Sequence, residues 1–147
     1  MIYELGYRMS DNSRMLRTLF DERVRDLGLT AAQARLLLSL ARHHDQNQAF
    51  FADRLEIEPI TLTRIVDRME DSGWVERKHD PSDRRARILH LTAKSKGIVD
   101  ELKQITEAMF EEVLQGLASS EREQLAQLLD RIGKNLAAAR EMGTIDG

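Results

Sequence analysis

The hydrophobic pattern of the chain changes period at Gly73, and this change limits the folds that the chain can adopt. Residues 59–72 carry apolar side chains at i, i+3, i+4 and i+7, the spacing of one helical face. After Gly73, two strand-like runs at 74–79 and 86–91 flank a turn over 80–85, whose Asp-Pro start favours a reversal of the chain. Helical patterns occupy the remaining sequence. The predicted fold class is therefore mainly α (α+β), a helical chain that contains a β-hairpin.

Capping signals set the boundaries of the first two predicted helices. A helix over residues 3–26 is expected to end at Gly28. Thr30 stands three residues before Gln33 and just ahead of an apolar run, which is the pattern of a capping box. A second helix is therefore expected to begin after Thr30.

The next two helices are also marked by their end residues. Asn47 is expected to cap a short third helix, because its side chain can accept a hydrogen bond from the first helical turn. Pro59 suits the first turn of a fourth helix, and Gly73 is placed to close that helix in a left-handed conformation. These signals predict two helices joined by a tight turn.

Two long helices are predicted after the hairpin. Thr92 is expected to cap a helix over 93–117. One of the serines at 119–120 is expected to cap the last helix, with Glu123 completing a capping box. Residues 143–147 are expected to form a disordered tail.

The composition of the 147-residue chain excludes several classes of protein. With 41% hydrophobic and 32% charged residues, the chain is too apolar for a disordered protein and too charged for a membrane protein. No apolar stretch approaches the ~20 residues of a membrane-spanning helix, and the first residues do not resemble a signal peptide. We therefore expect no membrane partner and a cytoplasmic location. The lack of cysteine excludes disulfides, thiolate catalysis and cysteine-ligated metals.

Charge is distributed unevenly along the chain, although the net charge is only -3. Residues 77–98 carry seven basic side chains and two acidic ones, whereas residues 99–147 carry five basic and ten acidic ones. A locally basic segment can bind an anionic partner such as nucleic acid. It can equally be an ordinary solvated face, and charge alone does not separate the two interpretations.

Two segments of the sequence carry a resemblance to a known family. Residues 55–70 read LEIEPITLTRIVDRME, and residues 80–92 read DPSDRRARILHLT, an Asp-x-Arg signature followed by an apolar strand that ends in Leu-Thr. Together with residues 73–77, they resemble the MarR family of bacterial transcriptional regulators. The number and order of the helices extend this resemblance over nearly the whole chain. It implies a winged helix-turn-helix core with N- and C-terminal dimerisation helices, in an obligate homodimer that binds palindromic double-stranded DNA.

The resemblance divides the chain into functional segments. It implies an N-terminal dimerisation helix (1–29), a DNA-binding lobe (30–92) and C-terminal dimerisation helices (93–142), followed by the tail. Apolar stripes on helices at both ends favour a homodimer independently, because a chain of this size has little core left to cover them. Packing of a helical bundle within one chain is the alternative.

Candidate DNA contacts lie on the fourth helix, which would be the recognition helix, and on the hairpin, which would be the wing. The candidates are Pro59, Thr61, Thr63, Arg64 and Arg68 on the helix, and Lys78, Asp83, Arg84, Arg85 and Arg87 on the hairpin. Arg64 is the expected reader of guanine, since its guanidinium can bond O6 and N7 together. The family pattern places Asp83 to brace Arg85, and a braced arginine suits a narrow A·T-rich minor groove.

The remaining hairpin cations have lesser roles, and the helix arginines have an alternative one. Arg84 and Arg87 are secondary candidates for the groove, and Lys78 is expected on a phosphate. Arg64 and Arg68 could instead pair with acidic neighbours on their own helix. Those neighbours are Asp67, Glu70 and Asp71.

No motif of an enzyme, cofactor site or metal site is recognised in the sequence. There is no nucleophile elbow, no zinc-protease motif and no phosphate-binding glycine loop. His43 and His44 are adjacent, so they point about 100° apart on a helix, and no third ligand follows them. His79 and His90 are interpreted as cross-strand neighbours rather than metal ligands. We therefore expect no enzyme, no cofactor and no metal.

The functional hypothesis is a sequence-specific DNA-binding transcriptional regulator, acting as a repressor and homodimer on a palindromic operator. The resemblance further implies a small anionic aromatic effector, bound between the dimerisation helices and the DNA-binding lobe. The alternative is a helical protein-interaction module whose basic hairpin binds an acidic partner.

Overall fold

The computed structural model describes the backbone of residues 1–146 and the side chains of residues 1–143. Over these residues the chain is mainly helical, with one two-stranded antiparallel sheet. The elements are α1 (Ile2–Arg23), a 3₁₀ turn (Arg25–Leu27), α2 (Ala31–Arg42), α3 (Gln48–Arg54), α4 (Pro59–Asp71), β1 (Val75–Asp80), β2 (Asp83–Leu91), a second 3₁₀ turn (Ala93–Ser95), α5 (Lys96–Val113) and α6 (Ser119–Asp146). Among the residues described, no helix combines the length and apolarity needed to cross a bilayer. The chain divides into two compact units, Met1–Met109 and the residues from Phe110 onward.

The capping residues predicted for α2 and α3, and the proline predicted at the start of α4, are confirmed. The Thr30 hydroxyl accepts the backbone N–H of Gln33, whose side chain accepts the N–H of Thr30, and both distances are 3.1 Å. The Asn47 side chain accepts the N–H of Phe50 at 2.9 Å and so starts α3. Pro59 is in the first turn of α4. Local backbone chemistry therefore sets these helix boundaries.

The core of the first unit is built on the apolar stripe predicted for α4. Leu62, Val66 and Met69 are fully buried, and Ile65 packs partly buried beside them. The rest of this core comes from the other helices and the hairpin, chiefly Val24, Leu36, Leu37, Phe51, Val75, Leu89 and Leu102. Burial of one face fixes α4 and leaves its opposite face to solvent.

The turn between α3 and α4 contains a left-handed residue that is not glycine. Glu56 has φ 54°, and its N–H donates to the Asp53 carbonyl at 3.2 Å. The next N–H, of Ile57, donates to the Ala52 carbonyl at 3.0 Å, so carbonyls at the end of α3 are satisfied within the turn. The Glu56 carboxylate accepts a hydrogen bond from Arg17 at 3.3 Å. This turn sets the entry of the chain into α4.

A second left-handed residue closes α4. Gly73 has φ 80°, as predicted, and the Trp74 N–H reaches back to the Met69 carbonyl at 2.9 Å. The Lys94 ammonium donates to the Ser72 carbonyl at 2.7 Å and lies 5.4 Å from the centre of the Trp74 ring. A cation at this end also complements the helix dipole.

The hairpin turn is shorter than predicted. Strand β2 begins at Asp83, so only residues 81–82 lie between the strands, where the sequence predicts a turn over 80–85. The Ser82 N–H and hydroxyl both donate to the Asp80 carboxylate, at 2.9 and 2.7 Å, which closes the reversal within two residues. We call residues 80–85 the hairpin tip.

The pairing of the strands also corrects the interpretation of two histidines. His79 stands opposite Arg87, and His90 stands opposite Glu76, so the two histidines are not cross-strand neighbours. The shorter turn sets this register, because the facing residue depends on where the chain reverses.

The base of the hairpin is attached to the segment before α3. The Leu89 N–H donates to the Gln46 carbonyl at 3.1 Å, and Asn47 forms an isolated bridge with Ile88. At the end of β2, the Thr92 N–H donates to the Trp74 carbonyl at 3.2 Å. These bonds hold the base of the hairpin but not its tip.

The predicted cap of the helix after the hairpin is wrong. The Thr92 hydroxyl donates to the Gly73 carbonyl instead of capping a helix. The chain first forms the 3₁₀ turn, and α5 runs only from Lys96 to Val113 instead of over 93–117. Gly116, with φ 91°, lies just beyond the end of α5, in a conformation that a right-handed helix does not use.

In the second unit, the cap of α6 lies earlier than predicted. The N–H of Ala118 donates to the Glu121 carboxylate at 2.8 Å, so neither serine at 119–120 nor Glu123 supplies the predicted box. The helix α6 begins at Ser119 because this bond satisfies a backbone group one residue before it.

The connection between α5 and α6 is held by one arginine. The Arg122 guanidinium donates to the Leu114 and Leu117 carbonyls at 3.2 and 3.3 Å, and it pairs with Glu111 at 3.4 Å. The carbonyls at the end of α5 thus gain a charged donor.

Helix α6 is long and presents apolar residues at its surface. Residues 143–146 are helical, where the sequence predicts the start of a disordered tail, and Gly147 lies outside the described residues. An alanine run at 137–139 favours continuation of the helix. The exposed apolar side chains of α6 are Leu125, Leu128, Leu129, Leu136 and Met142.

Candidate nucleic-acid interface

The exposed face of α4 carries all five side chains that the sequence analysis assigned to it. These are Pro59, Thr61, Thr63, Arg64 and Arg68. The guanidinium groups of Arg64 and Arg68 form no hydrogen bond or ion pair with any described residue. The alternative that these arginines pair with the acids of their own helix is therefore not what the structure shows. Two cations on this face are available to an external anion.

The hydroxyl of Thr63 is held in place by its neighbours. It donates to the Pro59 carbonyl at 3.0 Å and accepts from the Gln48 side-chain amide at 2.6 Å. The second contact joins α3 to α4 on the exposed side. Thr63 is thus a fixed point at the start of the candidate interface.

At the hairpin tip, Asp83 and Arg85 are joined through the backbone rather than through an ion pair. The Asp83 carboxylate accepts the backbone N–H of Arg85 at 2.9 Å, and no described residue pairs with the Arg85 guanidinium. The Arg84 guanidinium is also without a described partner. Asp83, Arg84 and Arg85 are all exposed, so two unpaired cations project from the tip.

The other hairpin cations are engaged within the hairpin. The Arg87 guanidinium lies 3.0 Å from Nδ1 of His79 and donates to the Arg84 carbonyl at 3.3 Å. The Lys78 ammonium lies 3.3 Å from the Glu76 carboxylate, and both side chains are exposed. Hydrogen bonds from the Ser82 hydroxyl and backbone lower the pKa of Asp80. The structure therefore separates Lys78 and Arg87 from the two unpaired arginines.

A groove of about 390 Å³ brings the start of α3 next to the start of β2. Its lining residues are Asn47, Gln48, Ala49, Asp83, Arg85, Ala86 and Arg87. Two of the candidate cations thus share a concave surface with the polar residues that precede and begin α3.

Two features of the interface were not identified from the sequence. Ile60 is 67% exposed and lies one helical turn before Arg64, on the polar face of α4. The sequence signal that could have identified Ile60 is its position outside the apolar stripe of α4. Arg77 is the second, and its signal is weaker, because an inward-facing position in a strand shows only as alternation.

Arg77 is the most extensively bonded cation of the interface. Its guanidinium pairs with Asp67 at 2.7 Å and with Glu70 at 3.1 Å, and it donates to the Thr63 carbonyl at 3.1 Å and to Gln48 at 3.3 Å. Its own N–H also donates to the Glu70 carboxylate, at 3.0 Å. We call these five residues the Arg77 cluster. The cluster joins α3, α4 and β1.

The described residues contain no group of three or more histidine and acidic side chains placed to hold a metal ion. The chemistry that the arrangement offers is instead that of an anion-binding surface. It combines a polar helix face that carries free arginines with a hairpin whose tip carries two more.

Comparison with known proteins finds transcriptional regulators that are similar to this chain. The model of the MarR family matches residues 29–86. A solved structure of the transcriptional regulator PA3341 has a TM-score of 0.80 at 34% identity, with 91% of this chain and 98% of that chain covered. A mutant of MarR from E. coli, complexed with operator DNA, has a TM-score of 0.69 at 27% identity and covers 89% of this chain and 94% of that one. The transcriptional regulator SlyA shares the fold, with a TM-score of 0.76 at 24% identity over 94% of this chain and 97% of that chain.

Proposed function

Because the chain belongs to the MarR family of transcriptional regulators, we propose that it binds double-stranded DNA sequence-specifically, as a homodimeric and ligand-responsive repressor on a palindromic operator. The observation that carries this proposal is the pair of unpartnered arginines, Arg64 and Arg68, on the exposed face of α4. An α-helix fits the major groove, where an arginine fork can recognise guanine. In this proposal α4 is the recognition helix.

The recognition helix and the wing divide the contacts. Pro59, Thr61 and Thr63 approach bases or phosphates from the first turns of α4, and Arg64 reads guanine. On the wing, Arg85 enters an A·T-rich minor groove, where the potential is most negative. Arg84 is the next candidate for this contact. Lys78 and Arg87 contact the phosphate backbone, and each must first release the partner that it holds within the hairpin.

The homodimer is proposed from helices at both ends of the chain, over residues 3–26 and 99–139, with the DNA-binding lobe (30–92) between these segments in sequence. The support is the apolar surface of α6, where Leu128 and Leu129 are 42% and 53% exposed. Sedimentation at micromolar concentration should show a dimer. A stable monomer there would contradict this part of the proposal, and removal of both terminal segments should abolish folding.

The proposed effector is a small anionic aromatic compound. Such a ligand would act by changing the separation of the two recognition helices, which must lie about 34 Å apart, or a multiple of this, to engage successive half-sites. A chain without cysteine has no thiol switch, so low peroxide should leave DNA binding unchanged. A cytoplasmic location follows from the proposal, because the operator is there.

Selection of bound sequences from random duplex DNA tests the proposed function. A palindromic consensus would support both the partner and the two-fold symmetry. Fluorescence anisotropy at two salt concentrations should then show a steep loss of affinity with salt, because bound cations release counterions from the phosphates. Failure to enrich any duplex, together with binding to an acidic protein, would favour the interaction-module alternative.

A further inference from the structure

Arg64 is free although an acidic residue follows it at a spacing that commonly forms ion pairs. Asp67 lies three residues after Arg64, about 60° around the helix axis, and such neighbours pair on helix surfaces. In the structure the Asp67 carboxylate instead contacts the Arg77 guanidinium at 2.7 Å. The Asp67 side chain remains 57% exposed, so burial does not keep it from Arg64.

The geometry of Arg77 explains why it holds Asp67. The Arg77 side chain is only 17% exposed, and contacts with Gln48 and the Thr63 carbonyl fix its guanidinium between α3 and α4. Glu70 bonds both the guanidinium and the backbone N–H of Arg77. A guanidinium with five donors in a rigid plane can satisfy all these acceptors, and a flexible lysine cannot.

We propose that Arg77 is a positioning residue that keeps Arg64 available for DNA by holding the Asp67 carboxylate on the side of α4 that faces β1. Without Arg77, Asp67 is released to pair with Arg64 and places a negative charge beside the base-reading position. Glu70 anchors Arg77 but lies six residues from Arg64, on a different side of the helix, so it does not compete. This inference rests on the proposed function.

The test uses the duplex that the wild-type protein selects and measures affinity by fluorescence anisotropy. Arg77→Met should weaken binding about fivefold to tenfold, because the released acid competes with the DNA phosphates and pairs with Arg64. Adding Asp67→Asn should restore most of the affinity, whereas Asp67→Asn in the wild-type background should change affinity less than about twofold. Glu70→Gln is the matched control. It removes the same charge from the same cluster and should restore little.

A second readout separates this role from a merely structural one. Selection with the Arg77→Met protein should lose preference at the same half-site position as selection with Arg64→Ala. In the Arg64→Ala background, Arg77→Met should not change preference at that position further. A uniform loss that Asp67→Asn does not reverse, or equal rescue by Glu70→Gln, would overturn the proposal.

Folding and function are controlled separately. Circular dichroism melts report whether the Arg77→Met lobe is folded at the assay temperature. If it is not, Arg77→Lys replaces it, and its smaller loss should likewise be reversed by Asp67→Asn but not by Glu70→Gln. If the wild-type protein selects no duplex, the proposed function fails, whereas selection without rescue by Asp67→Asn rejects only the role of Arg77.

Discussion

The recognition helix and the hairpin tip both present free arginines, but they are held in different ways. Three fully buried side chains fix the apolar face of α4 against the core, and the Arg77 cluster joins α4 to α3 and β1. At the tip, residues 81–85 are all exposed, and the bonds that shape it, from Ser82 to Asp80 and from Arg85 to Asp83, are local. Reading a base edge requires fixed geometry, whereas contact with a groove of variable width tolerates adjustment. The contrast matches the two proposed roles.

The largest effect should come from removing the buried support of α4. Leu62→Ala should lower the free energy of unfolding by about 2–5 kcal/mol, because it leaves a cavity in a well-packed core. Arg84→Ala at the tip is the matched comparison and should stay within about 0.5 kcal/mol of wild type. Urea unfolding measures both. Equal losses would mean that the tip is anchored as firmly as the helix.

The next effect concerns base reading. Arg64→Ala should cost about 1–3 kcal/mol of binding free energy and relax preference at one position of each half-site, since alanine cannot form the two hydrogen bonds to guanine. Anisotropy against single-base variants of the selected duplex measures this. The control is Arg131→Ala on the exposed surface of α6, which should bind DNA as wild type does. A uniform loss over all base variants would assign Arg64 to phosphate.

A smaller effect is expected at the tip, where the interaction is with groove shape and charge. Arg85→Ala should weaken binding most on sites with A·T-rich flanks, and should flatten the salt slope by about 0.9 for each phosphate that the protein no longer neutralises. Asp83→Ala should behave like Arg85→Ala, because the Arg85 backbone loses its acceptor. Asp83→Asn keeps an acceptor oxygen and should bind nearly as wild type does.

Simple charge counting makes the opposite prediction for Asp83. Removal of a negative charge would then tighten binding in both Asp83 variants. Tighter binding by the Asp83→Ala protein would reject the bracing role and leave the wing as a nonspecific basic patch.

The next prediction concerns Ile60 and asks whether an apolar contact adds to base recognition by α4. Its exposed side chain lies one turn before Arg64, so in the proposed complex we expect it to contact the C5-methyl group of thymine in the major groove. Ile60→Ala should cost about 0.8 kcal/mol on a site that presents this methyl group. Replacement of that thymine by deoxyuridine should cost the wild-type protein a similar amount and the Ile60→Ala protein nothing further. Equal deoxyuridine effects on both proteins would exclude the contact.

The smallest effect concerns the pH dependence of the free energy of unfolding. It arises at His43, in the loop between α2 and α3 whose Gln46 and Asn47 bond the base of the hairpin. Burial beside Phe50 lowers the pKa of His43, with further contributions from the charges of Arg54 and Arg42, and its Nε2 has no described hydrogen-bond partner. The unfolded chain therefore binds a proton more readily than the native lobe. The stability that this group contributes is complete above its ordinary pKa of about 6.5 and is lost as the pH falls below it.

Urea unfolding at pH 7.5 and 5.5 measures this contribution. The wild-type protein should lose more stability on acidification than His43→Gln does. Identical acid sensitivity of wild type and His43→Gln would show that His43 does not titrate differently on folding.

Features that depend on neighbours in the chain could be predicted from the sequence, and features that depend on distant contacts could not. Local backbone chemistry predicts three features that the structure confirms: the capping box of Thr30 and Gln33, the start of α4 at Pro59 and the left-handed conformation of Gly73. Threonine is a common helix-capping residue, but the Thr92 hydroxyl donates to the carbonyl of Gly73, nineteen residues earlier. This long-range hydrogen bond competes with helix capping for the hydroxyl, and no local sequence pattern shows it.

The candidate interface shows the same limit. The exposed positions of Arg64 and Arg68 follow from the helical period of α4, and their assignment to DNA stays a prediction. The Asp67 carboxylate, which neighbours Arg64 on the helix, is instead paired with Arg77, whose contacts span seven to 29 residues along the chain. The bond between Asp83 and the Arg85 backbone likewise depends on where β2 begins, and the sequence predicts a longer turn there.

The left-handed backbone of Glu56 has a consequence for how this lobe can change over evolutionary time. A non-glycine residue in that conformation costs about 1 kcal/mol, and the exposed contact between Glu56 and Arg17 offsets little of this. Glycine at position 56 would recover most of that cost without altering any side chain of the exposed α4 face. The turn therefore holds a margin of mutational tolerance: a lineage that acquired this glycine could accept a destabilising substitution in α4 and acquire a new DNA preference while remaining folded.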